Sequence, residues 1–159
     1  MEPLRFAVLP LRVILVLAFA GATVLQTLSF PGGWAFWAQQ HPELAWLRWP
    51  LTAFTAAEML CVQVVLVSTW QLLTMVQKDR IFSPAAFRWV DAIIIAMGCA
   101  WVGLAAAWLV LVSGADDPGM PFLLLNLLLG GAALVLLVVV MRALLRQATA
   151  LRSDMDAVI

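Results

Sequence analysis

Apolar residues in this chain neither alternate nor recur as a narrow stripe; they run on in four long stretches separated by short polar segments, at about 11–30, 51–76, 89–112 and 121–141. A hydrocarbon core about 30 Å thick is crossed by about 20 helical residues rising about 1.5 Å each, so each stretch suffices for one transmembrane helix. The pattern predicts an all-α fold, an integral membrane four-helix transmembrane bundle forming a single domain over residues 1–159. After Met141 the pattern changes. Leu144, Leu145, Ala148, Leu151 and Met155 recur at helical spacing opposite Arg142, Arg146, Gln147, Arg152 and Asp154, which predicts an amphipathic C-terminal helical tail over 142–159. Such a helix lies along an anionic leaflet with its arginines reaching phosphates, or docks in a partner's groove.

Composition excludes a water-soluble domain: 65% of residues are apolar and 11% charged, and the mean hydropathy is +1.03. The net charge of zero hides an asymmetry that sets topology, because short cytoplasmic loops retain Lys and Arg. Arg5 and Arg12 flank the first span, Lys78, Arg80 and Arg88 the turn between spans two and three, and Arg142, Arg146 and Arg152 follow span four. Only Arg48 falls on the other side, with His41, Glu43, Asp116 and Asp117. The expectation is a multi-pass protein of a bacterial cytoplasmic (inner) membrane with both termini cytoplasmic. A cleaved signal peptide is the competing reading of the first span, which has a basic start and small residues at Ala18, Ala20 and Ala22; its apolar stretch continues through Val24, Leu25 and Leu28, which favours an uncleaved helix.

Two connections carry local signals. Residues 31–50 read as an external loop holding Trp34, Phe36, Trp37, Trp46 and Trp49 around Gly32 and Gly33. Indole rings favour the headgroup zone, so an interfacial belt with a short re-entrant or surface helix is preferred to an aromatic lid over an outward-facing site. In the turn from Gln77 to Pro84, Ser83 suits a helix cap and Pro84 the first helical position, so a new helix should start there and run through Arg88 and Asp91, with Ile81 and Phe82 anchoring the hairpin.

Polar residues inside the spans are the candidates for chemistry. Glu58 lies about two turns below the outer surface, and a carboxylate in hydrocarbon normally faces a bundle interior, a cavity or a partner. Thr55, Glu58, Cys61, Val62, Val65 and Thr69 share one face of span two, and Asn126, Gln26 and Thr27 fall at similar depth, which suggests a small polar site in the outer third. Its plainer role is structural, since interhelical hydrogen bonds of this kind average about 0.6 kcal/mol. Ala92, Ala96 and Ala100, with Gly103 and Ala107, and then Gly130 to Ala133 provide smooth faces for close helix approach, within one chain or in a homo-oligomer.

No cofactor or metal is expected. The single histidine, His41, cannot supply a His-based ligand set, and Cys61 and Cys99 make no C-x-x-C pair and read as packing residues. There is no phosphate-cradling glycine loop and no nucleophile elbow, and the arginines are dispersed over three segments, so direct nucleic-acid binding is not expected either.

The loop Asp79-Arg80-Ile81-Phe82-Ser83, the segment Phe87-Arg88-Trp89-Val90-Asp91 and the tail motifs Met141-Arg142, Leu144-Leu145-Arg146, Ala148, Leu151-Arg152 and Asp156-Ala157-Val158-Ile159 resemble, across nearly the whole chain, the bacterial membrane proteins catalogued as domain of unknown function 2975. The loop departs from the family's usual glycine-containing form at Lys78-Asp79. The resemblance implies a four-span helical membrane protein, often encoded beside a small helix-turn-helix regulator, and it offers no catalytic residue to carry over. Together these readings favour a noncatalytic signalling or regulatory membrane protein that holds a cytoplasmic partner through Lys78, Arg80, Arg88, Arg142, Arg146 and Arg152. The alternatives are a small proton-linked transporter or transport subunit using Glu58, and an accessory subunit of a membrane enzyme complex.

Overall fold

The computed structural model describes residues 2–78, 83–114 and 118–158, with only the main chain described at 2–7, 84 and 152–158. Every regular element among them is helical. Four helical stretches, Val8–Gln40, Pro42–Gln77, Ala85–Gly114 and Gly119–Leu151, are long and apolar enough to cross a membrane. Large aliphatic side chains such as Leu17, Ile95, Val110 and Leu136 are exposed along them. Burying one such side chain is worth about 1.5–3 kcal/mol relative to leaving it in water, so surfaces of this kind belong in lipid. The protein is an all-α membrane protein. Contacts divide the chain into two compact units, Met1–Trp70 and Gln71–Ile159.

The first unit contains α1 (Glu2–Val24), a π-helical segment (Leu25–Ser29), α2 (Phe30–Gln40), a 3-10 segment (Pro42–Leu47) and α3 (Arg48–Gln77) as far as Trp70. The first span does not end at Phe30. Proline lacks an N–H, and its ring clashes with the carbonyl four residues back, so Pro31 should break the helix. Here the preceding turn widens instead: the Phe30 N–H is donated to Leu25 O, a five-residue step, and the chain continues helically to Gln40. The external loop expected over 31–50 is therefore corrected to helix almost throughout. The break comes at His41, with φ −124° and ψ 74°, whose N–H still closes on Trp37 O at 3.1 Å. The residue before a proline is disfavoured in the α region, so Pro42 accounts for the position of the break. Pro50 falls in the first turn of α3, where its missing N–H leaves no bond unmade.

Three long side chains join the helices of this unit in antiparallel register. Trp34 donates its indole N–H to Thr55 Oγ1 at 3.3 Å, Gln63 donates an amide N–H to Thr23 Oγ1 at 3.1 Å, and the Arg12 guanidinium carbon lies 5.1 Å from the Trp70 ring centroid. Val8, Leu15 and Ala22, spaced by seven, form the buried stripe of α1.

The second unit contains the end of α3, α4 (Pro84–Gly114) and α5 (Gly119–Val158). As the sequence suggests, α4 starts at Pro84, and the Ala86 N–H closes on Ser83 O at 3.0 Å. The helices α4 and α5 run antiparallel. Trp108 and Trp101 donate their indole N–H groups to Pro121 O and Leu128 O, each at 2.9 Å, so donors and acceptors both repeat every seven residues. Gly131 allows this approach, since a Cβ there would stand 3.2 Å from Trp101 Cδ1. Ala96, from the expected small-residue ladder, is buried, as are Ile93 and Leu128. One turn after another, α5 continues past its apolar part for 40 residues in all.

Candidate functional site

The sequence picks out two groups of residues, and the structure treats them differently. In the intramembrane group, Thr27 donates its hydroxyl to Thr23 O at 2.8 Å and Asn126 donates its amide to Phe122 O at 2.9 Å, each back onto its own helix. Gln26 and Glu58 are half-buried. Among the described residues, no hydrogen bond joins Gln26, Thr27 and Glu58, so the polar site expected there does not form as a bonded cluster within the first unit. The polar link that does form uses residues outside that group, Gln63 and Thr23, with Thr23 also donating to Phe19 O at 2.8 Å. Asn126 belongs to the second unit. Glu58 is left as a half-buried carboxylate with no hydrogen-bond or ion-pair partner among the described residues.

The basic group is reorganised by one acidic residue. Arg142 makes a two-pronged contact with Asp91: its Nε donates to Oδ1, and its Nη2 donates to Oδ2 at 3.1 Å. A guanidinium fork matches a carboxylate in this geometry, and charge-assisted bonds are about twice as strong as neutral ones. Asp91 and Arg142 come from two of the segments that carry the family resemblance. Opposite charges near span ends, 51 positions apart, were the signal available. Arg142 is thus an interhelical clamp rather than a member of an open basic face. Lys78, Arg88 and Arg146 are exposed. Arg80 lies outside the described residues, as do Asp79, Ile81, Phe82, Asp116 and Asp117; Arg152 has only its main chain described, within α5, and the side chains of Arg5, Asp154, Met155 and Asp156 are likewise undescribed.

Beside these stand features the sequence did not single out as sites. An apolar groove of about 330 Å³ lies between α1 and α3, lined by Leu15, Phe19, Ala20, Leu66, Val67 and Trp70. The aromatic residues near His41 pack among themselves, Trp34 edge-on to Trp37 at 6.2 Å and Trp37 against His41 at 5.1 Å, while Trp46 and Trp49 remain exposed. Trp34 is therefore tied to α3 through Thr55. Neither Cys61 nor Cys99 forms a disulfide, and among the described residues no three His, Cys, Asp or Glu side chains gather as they would around a metal.

The family model described as protein of unknown function (DUF2975) matches residues 32–159, from the start of α2 to the tail. No curated protein and no solved structure matches the chain.

Proposed function

The chain belongs to the family of proteins of unknown function DUF2975, and from that premise we propose that it is a noncatalytic regulatory membrane protein that holds or releases a cytoplasmic protein through the basic end of α5. The observation that carries the reading is the length of α5. Forty residues at about 1.5 Å each give a rod of about 60 Å, twice what the hydrocarbon core requires. The surplus bears the exposed Arg146 and the exposed apolar residues Leu144 and Leu151, seven apart on the helix, a combination suited to docking along a partner's groove. Arg142 and Asp91 fasten the base of this arm to α4. In this proposal the membrane is a bacterial inner membrane, both termini face the cytoplasm, Lys78, Arg88 and Arg146 share that face, and the partner is a small helix-turn-helix regulator. Deleting residues 143–159 keeps Asp91 and Arg142 and should abolish copurification of that regulator while membrane insertion and thermal stability persist; undiminished copurification would overturn the reading.

A second reading is supported by Glu58, whose carboxylate lies in a span without a bonded partner among the described residues, as a proton-linked transport group would. Here Glu58→Gln loses proton-coupled substrate movement in reconstituted vesicles with insertion unchanged, and full transport by that variant excludes it.

A further inference from the structure

We propose that Glu58 and the widened turn facing it form a binding site for one alkali-metal cation. Glu58 follows Thr55 by three residues, on the same face of α3, and Thr55 meets Trp34 of the facing helix at 3.3 Å. Further along α3, Gln63 meets Thr23 at 3.1 Å. Those two contacts bracket Glu58 on one helix and the π-helical segment Leu25–Ser29 with Pro31 on the other, so the carboxylate and the turn lie at one depth within the first unit.

The turn supplies oxygens for such an ion. The Phe30 N–H is donated to Leu25 O instead of Gln26 O, and Pro31 has no N–H to give Thr27 O. Two successive main-chain carbonyls thus lose the donors that a regular α-helix provides. Gln26, half-buried within the turn, adds an amide oxygen that no hydrogen bond engages among the described residues. Irregular backbone at membrane depth persists where it is buried in protein or lines a cavity, and unwound carbonyls of this kind coordinate sodium in transporters. Charge fixes the class of ion. Carboxylate and carbonyl oxygens are hard donors that suit hard cations. One carboxylate cancels one positive charge, whereas a divalent ion would leave a surplus charge in the span. A proton alone would neutralise Glu58 but leave the carbonyls unmet. The site deepens the second reading above and rests on its assignment of Glu58 as the group that carries charge: proton and alkali cation compete for one carboxylate.

The test is thermal unfolding of the full chain in micelles, with sodium or potassium chloride titrated against choline chloride at constant ionic strength. At least one alkali cation should raise the midpoint along a saturating curve, as a ligand of the folded state does, and choline should not. Glu58→Gln should abolish that rise. Pro31→Ala, which returns an N–H to Thr27 O, should shift the curve to severalfold higher cation concentration, and Glu43→Gln, which removes an exposed carboxylate from the outer turn, should leave it unchanged. An equal rise in choline, a rise that survives in Glu58→Gln, or the same loss in Glu43→Gln would overturn the proposal. No response to either alkali cation would also overturn it, even where Glu58→Gln still loses proton-coupled transport, and the proton reading would then stand alone. Saturable binding that Glu58→Gln abolishes, in a protein that moves nothing across vesicles, would support the site and sink the transport reading.

Discussion

The two units solve the same problem, holding antiparallel membrane helices in register, with different partners. In the first, side chain meets side chain: Trp34 with Thr55, Gln63 with Thr23, Arg12 with Trp70. In the second, two indoles reach main-chain carbonyls, and a carboxylate grips a guanidinium with both oxygens. A carbonyl is supplied by any residue, so the acceptor positions Pro121 and Leu128 are held by geometry and not by side-chain identity. Register in the first unit depends on both partners of each pair; in the second it depends on two tryptophans, one ion pair and the absence of a side chain at Gly131.

The contrast is most sharply broken at the ion pair. Asp91→Asn leaves Arg142 with one neutral acceptor and should lower stability, measured by denaturation in micelles. The double variant Asp91→Leu, Arg142→Leu should recover most of that loss, because removing both charges leaves neither one stranded. A double variant as unstable as the single would mean that the clamp acts through packing. Smaller effects sharpen the comparison further. Trp101→Phe removes the donor but leaves Leu128 O its helical bond, while Gln63→Leu leaves Thr23 its own bond to Phe19 O. Each should cost about 0.6 kcal/mol on average and no more than about 1.7. Trp101→Phe should cost more, because its ring also fills the space over Gly131. The reverse order, read in the same denaturation series, would place the tighter hairpin in the first unit.

Much of this fold was legible because hydrophobic run length is a direct physical demand of the bilayer. The four stretches, the start of α4 at Pro84 and the helical tail all follow from that demand and from proline chemistry. What the sequence hid has equally physical causes. Pro31-Gly32-Gly33 carries every local sign of a loop, yet a single widened turn absorbs the proline. Acceptors on the main chain leave no mark in the residue string, so Trp101 and Trp108 could be placed but not paired. Gln63 sits in a Val-rich run and carries no charge to mark it, although an amide costs less in lipid than a carboxylate and finds its partner at Thr23. The basic residues near the span ends look equivalent in the sequence, and the bond to Asp91 separates Arg142 from the others.

The widened turn at Leu25–Ser29 also acts as a rotary offset. One residue inserted into a helix of 3.6 residues per turn swings everything beyond it by about 100° about the axis. The faces of α1 and α2 are consequently out of phase, and Trp34 meets Thr55 only with that swing included. Excising a single residue from the segment would restore the phase and point the indole elsewhere, so the aim of this aromatic end is encoded as an angle in the backbone, several residues away from the ring it directs.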